Sequence, residues 1–107
     1  MKNNLDEKEL LSLYRGFFIF GDSTSLKILF ELERYGEKNF TQLRDTLDVN
    51  PSTLTKKLRV LVDAGIISAD KTRDKLRIYY SIANHRKAIK KFLDTFERLS
   101  HDLSVEP

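Results

Sequence analysis

Apolar residues recur at helical spacing along most of the chain, and this pattern predicts two helices before residue 40. In the first, at about residues 6–20, the apolar positions are Leu10, Leu13, Tyr14, Phe17 and Phe18. Gly21 interrupts the pattern, and Asp22 or Ser23 can cap a second helix. The apolar stripe of that helix is Leu26, Leu29, Phe30 and Leu32. Gly36 should end it, because glycine readily adopts the backbone conformation that follows a helix.

Two shorter helices are predicted next, joined by a tight turn. Thr41 can cap a helix over residues 42–47, and a three-residue connection then leads to Pro51. Proline suits the first position of a helix, since its fixed φ is helical and no hydrogen bond is lost there. This fourth helix should run to residue 64 and stop at Gly65. Its inward face is Leu54, Leu58, Leu61 and Val62.

The period of the pattern changes after Gly65, from that of a helix to that of a strand. One strand is predicted from Ile66 toward Lys71, and a second carries the alternating residues Leu76, Ile78 and Tyr80. Residues 72–75 form a polar turn between them, so the two strands make a β-hairpin. A long final helix should follow, from a cap at Asn84 to about Leu103. No internal repeat or linker is apparent.

Length and composition indicate one globular domain over residues 1–107. Hydrophobic residues make up 40% of the chain and charged residues 33%. There is no cysteine, which excludes disulfides, thiolate metal sites and thiol redox sensing. The longest apolar stretch, residues 17–20, is far too short to span a membrane, and the N-terminal residues lack the apolar core of a signal peptide. We therefore expect a cytoplasmic protein with no membrane association.

The charge is distributed unevenly, although the net charge is only +3. Residues 51–91 carry eleven basic and three acidic side chains, a net charge of +8, whereas the segments on either side are net acidic. Such clustering is typical of a surface that binds a polyanion. The alternative is an ordinary solvated charged face.

Two short helices followed by a basic hairpin form a structural unit that can bind duplex DNA. The second helix of the pair fits the major groove, and its buried leucines would turn a polar face outward. That face consists of Ser52, Thr53, Lys56 and Arg59, with no carboxylate before Asp63. In the hairpin, basic residues alternate at Lys71, Arg73, Lys75 and Arg77, where a basic tip can contact phosphates or the minor groove. A plain amphipathic helix and a hairpin charged for solubility remain the alternatives.

Three stretches of the sequence resemble the winged helix-turn-helix regulators of the ArsR type; the HxlR and MarR types are similar. They are GDSTSLKILFEL, FTQLRDTLDVNPSTLTKKLRVLVDAGII and KTRDKLRIYYSI, and the resemblance covers about residues 17–82. It is most specific over residues 51–67. The resemblance implies a mainly α fold with a small β-hairpin wing: a winged-helix core at residues 22–82 between terminal dimerisation helices.

The resemblance also implies which residues contact DNA. The recognition positions would be Ser52, Thr53, Thr55, Lys56 and Lys57, and the wing contacts would come from Arg73 and Lys75. Metal-sensing members of the family use cysteines or Asp/His clusters, and this chain departs from them. His85 and His101 are 16 residues apart in the final helix, about 24 Å, which is too far for one intrachain site. We therefore predict no metal and no cofactor.

The final helix carries a narrow apolar seam with alternating spacings of three and four. Its members are His85, Ile89, Phe92, Phe96, Leu99 and Leu103. Such a seam favours pairing with a second helix, so we predict a homodimer through this helix, with Tyr14 and Phe17 of the first helix beside it. Packing of the first and last helices within one chain is the alternative.

These observations favour a sequence-specific regulator that binds double-stranded DNA as a homodimer. An enzyme finds no support, since the chain has no phosphate-binding glycine loop, no nucleophile motif and no paired carboxylates beside a histidine. The competing function is a winged-helix adaptor that binds proteins and no specific DNA. Whether a small-molecule effector binds between the terminal helices and the core is left open.

Overall fold

The computed structural model of the chain describes residues 22–103, with side chains as far as Arg98. In chain order the elements are α1 (Ser23–Tyr35), β1 (Lys38–Asn39), α2 (Phe40–Leu47), α3 (Pro51–Asp63), β2 (Ile67–Asp70), β3 (Tyr79–Ile82) and α4 (Arg86–Leu103). The predicted first helix, with Tyr14 and Phe17, lies outside the described residues. The other predicted helices are present, with bounds that differ by a few residues.

The first described helix begins and ends where the sequence predicts. The side chain of Asp22 accepts a hydrogen bond from the backbone N–H of Ser25 at 2.8 Å, which satisfies a donor that has no partner inside the helix. Gly36 ends the helix with φ 81°, a conformation that glycine adopts without strain.

The cap of α2 differs from the prediction. Asn39, and not Thr41, precedes the helix: its side chain accepts from the N–H of Gln42, whose own side chain accepts from the N–H of Asn39. This reciprocal pair is a capping box. The helix therefore begins at Phe40, two residues earlier than the sequence pattern indicates.

The sheet has three antiparallel strands in the order β1-β3-β2. In the predicted hairpin Ile67 lies opposite Ile82 and Asp70 opposite Tyr79. The two-residue β1 pairs with the other edge of β3, where Lys38 lies opposite Tyr80, and it is too short to leave a periodic signal. The prediction that the second strand carries Leu76 and Ile78 was wrong, because β3 begins only at Tyr79. Both residues lie in the connection, where Leu76 is exposed.

The hydrophobic core joins all four helices to the sheet. Its fully or almost fully buried members are Ile28, Leu29, Leu32, Leu43, Leu54, Leu58, Leu61, Ile67, Tyr80, Ile82, Ile89, Phe92 and Leu93. In the helices they recur at spacings of three or four residues, with adjacent pairs at 28–29 and 92–93, and in β3 Tyr80 and Ile82 are two residues apart, as one buried face of each element requires. Ser25, buried beside them, satisfies its hydroxyl on Asp22 at 3.0 Å.

The start of α4 also differs from the prediction. The Asn84 side chain does not cap the helix; its amide donates to the carbonyl of Gly65 at 3.1 Å and so joins the start of α4 to the end of α3. His85 precedes the helix with φ 59° and is exposed, so it is not part of the helical seam. Arg34 of α1 pairs with Glu97 of α4 at 2.6 Å.

Helix α2, a short turn and helix α3, followed directly by a β-hairpin against a third strand, form a winged helix-turn-helix, as the sequence predicts. Pairing through the terminal helices stays a prediction. Within residues 22–103 no helix is long and apolar enough to cross a membrane.

Candidate nucleic-acid interface

Helix α3 presents one face to the core and another to solvent, as the spacing of its leucines predicts. Leu54, Leu58 and Leu61 are buried, whereas Ser52, Lys56 and Arg59 are exposed. Pro51 occupies its first position, and the side chain of Asn50 accepts from the N–H groups of the next residues. The roll of the helix about its axis is therefore set by packing, and its polar face projects away from the molecule.

Two hydroxyl groups at the start of α3 already donate hydrogen bonds within the protein. The hydroxyl of Ser52 donates to Asn50 at 2.8 Å, and that of Thr55 donates to the carbonyl of Pro51 at 2.9 Å. A hydroxyl has one proton but two lone pairs. Both groups are therefore left as acceptors, which suits an amino group on a base edge better than a carbonyl.

The three cations of α3 are not equivalent. Lys57 pairs with Asp22 at 3.2 Å and is only 35% exposed, so it joins α3 to the start of α1. Partial burial opposes ionisation of Asp22, but hydrogen bonds from Ser25 and Lys57 outweigh it and lower the pKa of that carboxyl. Lys56 and Arg59 are exposed and form no salt bridge with any residue of the described chain.

A repeat that the sequence pattern did not reveal begins at Asp70, the last residue of β2, and continues into the connection between β2 and β3, which we call the wing loop (residues 71–78). The tetrapeptides Asp70–Arg73 and Asp74–Arg77 read DKTR and DKLR. In each, the aspartate accepts a hydrogen bond from the backbone N–H two residues on, at 2.9 Å from Thr72 and 2.8 Å from Leu76. Comparing the chain at a spacing of four residues would have revealed it.

Each aspartate of the repeat also pairs with the arginine three residues later. Asp70 accepts from Arg73 at 3.1 Å and Asp74 accepts from Arg77 at 3.0 Å. The hydrogen bonds from Thr72 lower the pKa of the Asp70 carboxyl, and that from the N–H of Leu76 lowers the pKa of Asp74. The two arginines are therefore internal partners within the wing loop.

Arg73 is held more firmly than the other cations of the wing loop. It donates two hydrogen bonds to Glu37, at 2.5 and 2.7 Å, and its guanidinium lies 4.7 Å from the centre of the Tyr79 ring. The hydrogen bond from Arg73 lowers the pKa of Glu37, and the pKa of Arg73 is raised in turn. The expected phosphate contact is thus already paired with two carboxylates.

Lys71 and Lys75 occupy the second position of each repeat. Both are exposed, and neither forms a salt bridge within the described part of the chain. The carboxylates of the repeat are directed at the arginines instead. The net effect is a wing loop whose two lysines are available for an external anion.

A groove of about 590 Å³ separates α3 from the wing loop. Thr55 and Arg59 of α3 line one side, Lys71, Leu76 and Arg77 line the other, and Phe40 of α2 also borders it. The cations on both walls come from different elements, so the fold brings them together across one open channel. Of the eleven basic residues in the 51–91 segment, seven belong to α3 and the wing loop, and four belong to α4: Arg86, Lys87, Lys90 and Lys91.

Two of the predicted dimer-interface residues lie in the core of the single chain. Ile89 is 4% and Phe92 is 6% exposed, and Leu93, which the seam omits, is fully buried. Phe96 is half-buried, with its ring 6.3 Å from that of Phe92. The side chains of Leu99 and Leu103 lie outside the described part. Burial in the core of the single chain thus accounts for two of the three described helical residues of the seam. The alternative left open above, packing of the first helix against the last, lies outside the described residues.

No group of three or more His, Asp or Glu side chains in the described residues is placed to hold a metal ion. Asp22, Glu37, Asp70 and Asp74 each accept hydrogen bonds from cations or backbone. Of the described residues that line the groove, Asp63 carries a carboxylate and Arg59, Lys71 and Arg77 carry cations, so the lining is cationic on balance.

Comparison with known proteins supports the resemblance found in the sequence. The family model for bacterial regulatory proteins of the arsR family matches residues 22–69, from the cap of α1 through α3 to the third residue of β2. No curated protein matches the chain. The suspected resemblance to ArsR-type regulators is therefore confirmed.

Solved structures show the same fold. The transcriptional regulator homologue from Pyrococcus horikoshii OT3 has a TM-score of 0.70 at 24% identity, over 92% of this chain and 99% of its own. The repressor BigR from Xylella fastidiosa has a TM-score of 0.69 at 18% identity, over 94% and 95%.

A solution structure from Mycobacterium bovis is also similar: a homodimeric winged helix-turn-helix DNA-binding domain of a possible ArsR-family regulator. Its TM-score is 0.62 at 25% identity, over 99% of this chain and 94% of its own. The matching family and these structures are transcriptional regulators and not enzymes, in agreement with the sequence prediction. The family match and these structures support the interpretation of this chain as a DNA-binding transcriptional regulator.

Proposed function

We propose that this chain regulates transcription by binding a specific sequence of double-stranded DNA as a homodimer. Helix α3 would enter the major groove, and the wing would lie on the adjacent backbone or in the minor groove. The similarity to a family of regulators supports DNA binding; the grooves, the contacts and the dimer are our inference.

The observation that carries this proposal is the polar face of α3. It combines Lys56 and Arg59, two cations that no carboxylate of the described residues neutralises, with hydroxyl acceptors one turn away. Small side chains permit close approach of a helix to base edges, and long cations can reach guanine or phosphate. A protein-binding adaptor has no need for this combination beside a second cationic element.

We assign different roles to the predicted contact residues. Ser52, Thr53, Thr55 and Lys56 would read bases; Arg59, Lys71 and Lys75 would bind phosphates. Lys57 and Arg73 would act on DNA only indirectly, since each is paired with a carboxylate of the protein. The groove between α3 and the wing loop has cations on both walls. It would hold one sugar-phosphate backbone of the DNA, with α3 in the major groove on one side of that backbone and the wing at the minor groove on the other.

Selection of bound duplexes from a random pool tests sequence-specific binding. A recurring palindromic motif is expected, since a two-fold dimer presents two copies of α3 about one DNA turn apart. With about 6–10 phosphate contacts per dimer, affinity should fall by roughly 10³–10⁵ between 50 and 200 mM salt. No enrichment and a flat salt response would favour the adaptor.

The homodimer is tested through α4. Light scattering at micromolar concentration should give about twice 12.5 kDa. Phe96→Asp should release monomers, because a carboxylate buried at a helix seam is destabilising. Thr95→Asp makes a similar change at the neighbouring position, which lines the lysine-rich face of α4, and should leave the dimer intact. A mass of 12.5 kDa that does not change with concentration would refute the dimer.

A further inference from the structure

Leu76 is the most exposed large apolar side chain in the described part of the chain. It is 89% exposed, against 67% for Tyr35 and 48% for Val60. It occupies the third position of the second DKxR repeat, where the first repeat has Thr72. A polar residue would serve the turn equally well, so the turn itself does not explain a leucine here.

The backbone that carries Leu76 is held in place. Its N–H donates to Asp74 at 2.8 Å, and the other oxygen of that carboxylate accepts from Arg77 at 3.0 Å. The side chain therefore projects from a turn that is held by hydrogen bonds to Asp74 from Leu76 itself and from the next residue. A preorganised apolar group loses less conformational entropy on contact than one on a loose loop.

The surroundings of Leu76 are cationic and indicate what it contacts. Lys75 precedes it and forms no salt bridge with a side chain of residues 22–98. Arg59 of α3 lies across the groove that Leu76 borders. An apolar protein partner would have to cover these cations, whereas duplex DNA complements both features. The walls of its minor groove are the apolar faces of deoxyribose, and phosphates line its two edges.

We propose that Leu76 enters the minor groove of the bound DNA and packs on sugar and base edges, while Lys71 and Lys75 bind the phosphates of the flanking strands. This inference rests on the proposed function, and it assigns to the wing an apolar contact in place of an inserted cation. Leucine is among the residues that proteins insert into the minor groove at flexible base steps.

Salt dependence separates an apolar contact from an ionic one, because only a cation on a phosphate releases counterions. We would measure binding to the selected duplex by fluorescence anisotropy over a range of salt concentrations. Leu76→Ala should weaken binding about ten-fold with an unchanged salt slope. Lys75→Ala, the matched neighbour, should weaken binding and lower the slope by about one unit per contact. Leu76→Met, of similar volume, should bind nearly as the wild type does.

A second measurement places the contact in the minor groove. Guanine carries an amino group in that groove, and inosine lacks it while leaving the major groove unchanged. Replacing guanine by inosine at the base pairs under the wing should strengthen wild-type binding and leave Leu76→Ala unaffected. Equal responses of the two proteins would overturn the placement.

Three outcomes would overturn the inference. If the Leu76→Ala variant bound DNA as tightly as the wild type, Leu76 would make no contact with DNA. If the molecular mass of this variant by light scattering differed from that of the wild type, Leu76 would instead lie in a contact between two copies of the chain. A wild-type chain that binds no duplex would refute the proposed function itself, and the inference with it. Circular dichroism should show all variants folded, since both side chains are exposed.

Discussion

The guanidinium of Arg73 donates two hydrogen bonds to the carboxylate of Glu37 and so joins the wing loop to the residue before β1. Asp70 accepts a third hydrogen bond from the same guanidinium. Two carboxylates thus surround one cation, and the cluster as a whole is not positive. We therefore infer that Arg73 fixes the position of the wing and would add little to the attraction of the proposed DNA interface for phosphate.

Arg73→Ala and Lys75→Ala should differ in their effect on DNA binding. Loss of Lys75 should lower the salt slope of the affinity by about one unit per contact, since an unpaired cation releases a counterion when it binds phosphate. Loss of Arg73 should weaken binding by loosening the wing and leave the slope unchanged. The measurement is anisotropy titration of both variants at four or more salt concentrations.

Glu37→Gln is the matched control for this prediction. It removes one carboxylate partner and makes the charge of Arg73 available, so the salt slope should rise and affinity for random DNA should increase. If Arg73→Ala lowers the slope as much as Lys75→Ala does, Arg73 binds phosphate directly, and its pairing with Glu37 gives way when DNA binds.

The wing should respond to acid and not to changes near neutral pH. The pKa values of Glu37, Asp70 and Asp74 are all lowered by hydrogen bonds, so the ionised forms stabilise the wing. That stabilisation is complete above the ordinary pKa of these groups, about 4, and is lost as the pH falls through the lowered values. Amide NMR resonances of the wing should be constant from about pH 8 to 5 and shift only below about 4. A shift near pH 6–7 would contradict this.

The parts of the fold that could be predicted are those set by repeated burial and by glycine. The leucine spacing of α3 and the existence of the hairpin follow from which side chains must be covered. The stop after α3 follows from Gly65, which has φ 76°, a conformation that glycine adopts without strain. The outward face of α3 follows too, because a helix with one buried face has no freedom in where the other points.

The parts that could not be predicted depend on contacts between residues far apart in sequence. Glu37 lies 36 residues from Arg73, so nothing local indicates that this arginine is paired. The alternating period placed Leu76 in the second strand, but the hydrogen bonds of Asp74 close a turn there and β3 starts later. Ile89 and Phe92 suit a seam between two chains as well as they suit the core of one chain, because each of these surfaces requires an apolar stripe along the helix.

Asn50 allows the stability of α3 to be separated from its binding of DNA. Its side chain accepts hydrogen bonds from Ser52 and Thr53 at the start of the helix. Asn50→Ala should lower the free energy of unfolding by about 1 kcal/mol, since the helix loses its cap. Asn50→Asp keeps the cap, and its charge favours the helix N-terminus.

The aspartate variant should nevertheless bind DNA less tightly, because it places a carboxylate beside the base-reading face. Urea denaturation and anisotropy on the same samples check the two effects. If Asn50→Ala bound DNA weakly and Asn50→Asp bound it as tightly as the wild type, the cap would affect DNA binding only through the stability of the fold.

Leu93→Ala tests whether α4 is part of the core of each chain. Leu93 is fully buried, so its truncation should lower the free energy of unfolding by about 2–5 kcal/mol. Lys91→Ala, at an exposed position of the same helix, should change it by less than about 0.5 kcal/mol. Urea denaturation followed by circular dichroism measures both. A small loss for Leu93→Ala that grows with protein dilution would place this side chain between chains instead.

Lys56 should decide sequence specificity, and this prediction tests the orientation of the whole domain on DNA. It is exposed on α3 on the side opposite the buried Leu54 and Leu58, and no carboxylate of the described chain neutralises it. Lys56→Ala should lower the binding free energy by about 1–3 kcal/mol on the selected duplex and by less on random DNA. The ratio of the two affinities should therefore fall.

Lys57→Ala is the neighbouring control. Because Lys57 pairs with Asp22, its removal should lower stability slightly and weaken binding to both duplexes by the same small factor. If Lys56→Ala instead weakened both duplexes equally, Lys56 would be a phosphate contact. The base-reading surface of α3 would then be assigned to the wrong side, and the position of the wing relative to the minor groove would have to be derived anew.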